Sequence, residues 1–557
     1  MTSVYTDIQI RPSLSEWSDM LAVCELNHAR LDELRRTART RLIESAQKYV
    51  LKLNSIADDT ELPANVAPVL TGDPATQPIV MTGHQPVLFH SGLTFKYETT
   101  QQFAADNNAI AVGVIIDTDR GDAGQFSYPE PDPDSNGGDS ASAGDASAGD
   151  DAAAGRMPVR QGSPYQARLA VQSLAESNSL FTQGKLKSAT DLQALATEVQ
   201  QALRQLSQPA AARTAFQVLS GFGQLSTTSA TAMEANTIMR WQFGIGSRML
   251  ELPLSAIAAF PESLMLTVDI LKQPRRFASA YNSALSLFRE EQGIRNSANP
   301  FPDLKITDDG CELPFWVVNH NRGTRHVLDV QLDGNVTRLL ANGRTVDTFA
   351  DSISDDALEP MLLQSLQIVP RGALITVFLR LLFSDLFVHG TGGGRYDRFT
   401  DEFIRTWWNV EPPPFTVASA SRYLFGRQRE ELQRLGRIRS QLRDLQFNPQ
   451  RYFGQGIFSD ELEERLADLV QEKDVAVQRL QSAHASGQSA RDSGRDIQQF
   501  TNQIKEAVAA EFEPQFSLLN ALTPEQHDAI NSRTYPWFFF DDDERDSTPN
   551  TEPSGIQ

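Results

Sequence analysis

Between Pro78 and Asp117 the sequence passes from a short apolar strand, through a glycine turn and a helix, to a second apolar strand. No other stretch restricts the fold as much. Pro78-Ile79-Val80-Met81-Thr82-Gly83 is the first strand and its turn, and Leu93 to Ala105 has helical spacing. Ala109 to Ile116 (AIAVGVII) is the second strand, closed by Asp117. Runs that are apolar at nearly every position belong to strands buried on both faces. Strand, helix and strand within about 40 residues form a βαβ unit, which predicts an α/β fold with a helix-covered parallel sheet.

The other segments are arranged around that unit. Residues 1–62 read as helical, with Leu21, Leu26, Leu31, Leu34 and Leu42 at near-helical intervals and Pro63 as the stop. Pro129 to about Pro164 is Gly, Ser, Ala and Asp with almost nothing to bury, which predicts a disordered insert. Residues 166–300 are mostly helical in pattern. Cys311 to Leu339 alternates apolar and polar residues around Asn-Arg-Gly and Asp-Gly-Asn turns, predicting a hairpin or three-stranded meander. The apolar stretch Leu374–Val388 leads to a Gly-rich loop, His389 to Gly394, and a helix resumes over Asp401–Trp408. From Arg427 onward, Leu432, Leu435, Ile438, Leu442 and Leu445, then Leu462, Leu466, Leu469, Ile497, Ile504, Val508 and Phe512, form narrow apolar seams. They predict two long helices in an antiparallel coiled-coil hairpin or arm. The divisions are 1–75 (N-terminal helical), 76–128 (first βαβ unit), 129–165 (insert) and 166–305 (helical connector). They continue with 306–425 (second part of the core), 426–515 (arm) and 516–557, whose Tyr535–Phe540 run reads as a docked anchor before an acidic disordered tail.

The net charge of −21 is concentrated. Asp117–Asp151 has ten acidic residues and one arginine, and Asp541–Glu552 has six and one, so these stretches carry −9 and −5 of it. The remaining body is mildly acidic, which argues against a nucleic-acid-coating surface. Cys24 and Cys311 lie outside any CxxC pattern, so a disulfide framework and a thiolate zinc site are excluded, and a reducing compartment is expected. The first residues, MTSVYTDIQIRPSLSEW, lack a basic start followed by an apolar run, and Ala373–Val388 is interrupted by Arg380 and Asp385. The expectation is a cytoplasmic protein with no membrane partner.

Three runs could carry chemistry. Thr82-Gly83-His84-Gln85 through His90-Ser91 sits between strand and helix, where backbone N–H groups meet an anion and side chains add donors and acceptors. It matches neither GxGxxG nor Walker A, so the cofactor stays unassigned, with a nucleotide left open. The plainer alternative is an ordinary βα turn. Asp117 and Asp119 lie at the carboxyl end of the second strand, where they could orient a substrate amine or hydroxyl, serve as a base or hard-metal ligand, or simply cap a turn. In His389-Gly390-Thr391-Gly392-Gly393-Gly394-Arg395-Tyr396-Asp397 the glycines allow close backbone approach, Arg395 suits a carboxylate or phosphate, and His389 suits proton transfer. A ligand-free hinge is the alternative there. Lys96 reads as part of a solvated helix face, His320 and His326 as turn residues, and Cys311 as a small buried hydrophobe. No metal site is expected, because His84 and His90 lack the i, i+4 spacing of helical zinc ligands.

The run Thr82-Gly83-His84-Gln85-Pro86-Val87-Leu88-Phe89-His90-Ser91-Gly92 resembles the T-G-Q-Q-x-G-L-F-x-G-P segment of the bacillithiol-synthesis cysteine-adding enzymes, the BshC family. Gly392-Gly393-Gly394-Arg395 is similar to that family's G-P-G-E loop. His84 replaces the first Gln, Asp117-Thr118-Asp119 shortens an E-D-H-D run, and Gly393 and Arg395 replace Pro and Glu. The resemblance implies a Rossmann-like parallel core with inserted helical connectors and a C-terminal antiparallel coiled-coil arm. It also implies an amide-forming ligase that joins an amino acid, cysteine in the family, to an amino-sugar or similar amine.

The resulting expectation is a small-molecule enzyme. His84, Asp117, Asp119 and His389 are the catalytic candidates, and Thr82, Gly83, Gln85, His90, Ser91, Gly392, Gly393, Gly394 and Arg395 bind substrate. The competing readings are a non-catalytic scaffold that uses the arm to bind a partner or form a homodimer, and a metal-dependent hydrolase or transferase.

Overall fold

The computed structural model describes residues 5–22, 25–57, 72–131, 164–173, 180–296, 298, 300–350 and 352–540. The expected disordered insert, apart from its ends, the acidic tail, Cys24 and the Pro63 helix stop lie outside the described residues.

Among the described residues thirteen strands occur in chain order: β1 (Thr6–Arg11), β2 (Ile79–His84), β3 (Ile110–Ile115), β4 (Gln125–Pro131), β5 (Pro164–Ala170), β6 (Leu250–Pro253), β7 (Gly310–Asn319), β8 (Thr324–Asp333), β9 (Val336–Ala341), β10 (Arg344–Ala350), β11 (Leu366–Pro370), β12 (Leu386–His389) and β13 (Phe415–Ser421). The six-stranded main sheet has the order β1-β13-β12-β2-β3-β6. Its five inner and right-hand strands, β13 to β6, are parallel, and β1 runs antiparallel along β13. The molecule is therefore mixed α/β. The chain builds outward from β2 through β3 to β6, then returns to the other side of β2 for β12 and β13. The order of strands reverses between β2 and β12.

The uninterrupted apolar character of β2 and β3 follows from burial on both faces; all six residues of β3 are buried. Helix Ser91–Asp106 packs on β2, β3 and β13. Helix Ala373–Leu382 packs between helices Ala29–Ile56 and Thr391–Trp408. At the amino ends of β2 and β12 a buried clamp fixes their spacing. The Asp385 carboxylate, just before β12, accepts from Arg35 and Arg39 at 2.8 Å each and from the Ile79 amide at 2.8 Å.

The second sheet is antiparallel, in the order β10-β9-β8-β7-β11. It contains the expected meander, widened by β10 and β11. Residues 426–521 form three helices, Gly426–Phe447, Asp460–Ser486 and Arg491–Ala521, where the leucine spacing predicted two. The additional break is at Gly487, whose φ of 70° is a left-handed helix stop. The all-helical reading of residues 1–62 is corrected by β1: the alternating Thr-Asp-Ile-Gln-Ile-Arg segment finds a strand partner in β13. Tyr535–Phe540 is buried as an anchor, and Pro536 pairs with His90 in an isolated bridge. No helix among the described residues is long and apolar enough to cross a membrane.

Candidate functional site

β2 and β12 share a ladder only at Val80–Leu386 and Met81–Phe387. β2 stays with β3 as far as His84, and β12 stays with β13 as far as His389. The two central strands thus part company above Met81 and Phe387, with the Thr82 hydroxyl donating to the Val388 carbonyl at 2.8 Å as the last link. A cleft of about 280 Å³ lies above this fork. In an open parallel sheet, ligands bind at this position, beyond the carboxyl ends of the strands where their order reverses.

The cleft brings together residues that are far apart in sequence. Gly83, His84 and Gln85 come from the end of β2, Thr118 and Asp119 from the loop after β3, and His389 from the end of β12. Helix Thr391–Trp408 adds Gly393, Tyr396 and Asp397. The second sheet and its connection add Trp316, Arg371 and Gly372.

His389 is the central group. Its Nε2 lies 2.9 Å from the Asp397 carboxylate, which also accepts from Arg380 at 2.8 Å. Burial works to raise the Asp397 carboxyl pKa, but the facing His389 and Arg380 bring it below the usual range, so it is ionised. An ionised carboxylate at Nε2 places the imidazole proton there and leaves Nδ1 as the basic nitrogen. Nδ1 has no hydrogen-bond partner among the described residues and lies over Gly393; a β-carbon on Gly393 would be 2.5 Å from it. The ring is held between Phe387 and Phe415, at 4.6 and 5.7 Å.

His84 is a different kind of histidine. Burial, then the positive charge of Lys96, pushes its pKa down to about 3, so the ring is neutral. Its Nδ1 is 3.1 Å from the Gln85 carbonyl, so Nδ1 carries the proton and Nε2 is an acceptor. Gln85 donates to Asp119 at 3.1 Å. Asp119 is also paired with Arg325, whose guanidinium lies 4.3 Å from the Trp316 ring centre. Arg371 is 4.8 Å from the same ring and pairs with Glu312. Two helices start at the cleft, Ala373–Leu382 behind Gly372 and Thr391–Trp408 behind Gly390, both without a side-chain cap. The amides of Gly372, Ala373 and Gly393 have no acceptor among the described residues. Such donors suit a carboxylate or a developing oxyanion.

Several candidates lie elsewhere. Asp117 is fully buried beneath the cleft, where its carboxylate accepts from the Ser255 amide at 2.9 Å and from the Ser255 hydroxyl; burial raises its pKa. Thr82 is spent on the Val388 carbonyl. His90 caps helix Ser91–Asp106 by accepting from the Gly92 amide at 3.1 Å, and Ser91 accepts from the Arg422 amide at 3.0 Å. The expected Gly-rich loop is the first turn of helix Thr391–Trp408, so Gly392, Gly394 and Arg395 are helical; Gly394 packs on Val417, and Arg395 is exposed. The helix starts directly after β12, with Gly390 as its extended N-cap and the Gly394 amide donating to the Gly390 carbonyl at 3.0 Å, so the glycines close a first helical turn where a loop was expected. Lys96 is not on a solvated face: it is 3% exposed, and its ammonium donates to the Gly83 carbonyl at 2.8 Å. His326 lies within β8, not in a turn. Cys311 is buried, with its thiol pushed up to about 12 by desolvation.

Asp397, Arg325, Arg371 and Trp316 join the cleft without having been expected there. Asp397 had a local signal, eight positions after His389 on the same short run. The other three come from the second sheet and the connection that follows β11, and nothing in their local sequence tells where that sheet docks. No group of three or more His, Cys, Asp or Glu side chains among the described residues is placed to hold a metal ion.

No protein-family description matches this chain, and no curated protein matches it.

Proposed function

We propose that the chain is an enzyme acting on a small polar molecule in the cleft between β2 and β12. His389 exchanges the proton at its Nδ1, and Asp397 orients the ring. The observation that carries this reading is a histidine with one nitrogen on a buried, charge-compensated carboxylate and the other, without a partner among the described residues, over a cleft. Such a pair is suited to general acid–base work. His84 Nε2 accepts a substrate N–H or O–H, and the free amides at the two helix starts receive a carboxylate or an acyl oxygen.

For the reaction class we infer an amide-forming ligase of the BshC kind, with an amino acid and an amino-sugar or similar amine as reactants. In amide formation the amine nitrogen forms a C–N bond to the acyl carbon of a carboxyl group activated by a phosphate donor such as ATP. The acyl C–O bond to the phosphate breaks and the phosphate departs, and the proton lost by the amine goes to His389 Nδ1. This assignment rests on the Thr82–Gly92 resemblance. The strand order around β2 supports reading the core as Rossmann-like, and the apolar seams of the three helices within 426–521 support the coiled-coil arm.

The test is to incubate the purified full chain with a small-metabolite extract, amino acids and ATP, and to follow consumption by mass spectrometry. A substrate lost with wild type should be consumed about 10²–10⁴-fold more slowly with His389→Gln. If no consumption depends on His389, the enzyme reading fails and the scaffold reading takes its place.

A further inference from the structure

Lys96 is a buried cation that the proposed chemistry does not use. It projects from helix Ser91–Asp106 to the fork between β2 and β12. Successive carbonyls of a strand face its two neighbours alternately. The His84 carbonyl accepts from the Ile116 amide at 2.9 Å, on the β3 side. The Gly83 carbonyl therefore faces β12, but the ladder with β12 has already ended at Met81–Phe387. The Lys96 ammonium fills that vacancy at 2.8 Å. Gly83 lines the cleft, so the lysine stands directly behind its floor.

Its surroundings leave the charge uncompensated. Its charge helps to lower the pKa of His84 from β2 and of His90 at the start of its own helix, and the Tyr97 ring centre is 5.6 Å away. Neither β12 nor β13 brings it an ion-pair partner among the described residues. We propose that Lys96 is a positioning residue: its amino group replaces the missing β12 partner of the Gly83 carbonyl and holds the fork open. Its protonation sets the charge behind the cleft floor. Desolvation brings its pKa down to about 7, so that charge changes across neutral pH. The inference rests on the cleft being the working site, but its test does not depend on turnover.

His84 is the reporter, because it stays neutral throughout this range and any shift of its ring resonances must come from a neighbour. In the full chain labelled with ¹⁵N-histidine, and with His84→Gln for assignment, the His84 signal should inflect near pH 7. The inflection should vanish in Lys96→Met. Lys96→Arg should hold the low-pH signal up to pH 9. If Lys96→Met does not fold, the wild-type and Lys96→Arg series decide the matter. A wild-type signal that is flat between pH 6 and 8, or an inflection that persists in either variant, overturns the proposal. Loss of the enzyme reading through a silent His389→Gln assay would leave this result standing.

Discussion

A β-carbon on Gly393 would meet His389 Nδ1, one on Gly394 would run into Val417, and one on Gly392 would have nothing within 4 Å. These neighbours occupy the same helical turn, so substitution by alanine separates three effects. Gly393→Ala should displace the imidazole and lower turnover about 100-fold, the order expected for a misplaced catalytic group, with little change in melting temperature. Gly394→Ala should cost about 1–3 kcal/mol through overpacking, measured by urea unfolding. Gly392→Ala should leave activity intact and add up to about 1 kcal/mol, because it removes a helix-weakening glycine. The sequence shows three near-identical residues. What distinguishes them is the position of a histidine and a valine on two neighbouring strands.

The elements that position the cleft depend on the clamp at Asp385. Replacing it with Asn removes the carboxylate that answers Arg35 and Arg39, both almost fully buried. A buried cation left without its partner typically costs about 3–5 kcal/mol, so Asp385→Asn should show a loss of that order in urea unfolding. β12 should also be the first strand to lose amide-exchange protection, since Asp385 ties it to the Ile79 amide. The βαβ unit around β2 and β3 was legible because continuous apolar runs and a helical period are local signals. β6 was not: Leu-Glu-Leu-Pro is too short and lies among helices, and only the neighbouring β3 makes it a strand. The two ends of the cleft were legible for a similar reason. Histidines and glycines at strand ends are visible locally, so His84, Gln85, Asp119 and His389 could be named. Asp117 failed because its carboxylate turns inward to Ser255, a partner more than a hundred positions away. Lys96 failed because a lysine on an otherwise mixed helix carries no mark of burial.

At the scale of the whole molecule, Lys96 makes stability depend on pH. Its pKa falls from 10.5 in the unfolded chain to about 7 in the fold, so between those values the unfolded state holds more protons. The penalty for burying the charge is present below pH 7 and is relieved as pH rises toward 10.5. Wild type should therefore gain stability relative to Lys96→Met between pH 6.5 and 9.5, by a few kcal/mol, seen as converging urea midpoints. The aromatic anchor bears on the molecule's history as well as its equilibrium. The Trp537 amide donates to the Phe89 carbonyl at 2.8 Å, and Pro536 bridges to His90. During synthesis, the loop that presents His84 emerges early and must wait, uncovered, until the ribosome has released the residues that back it.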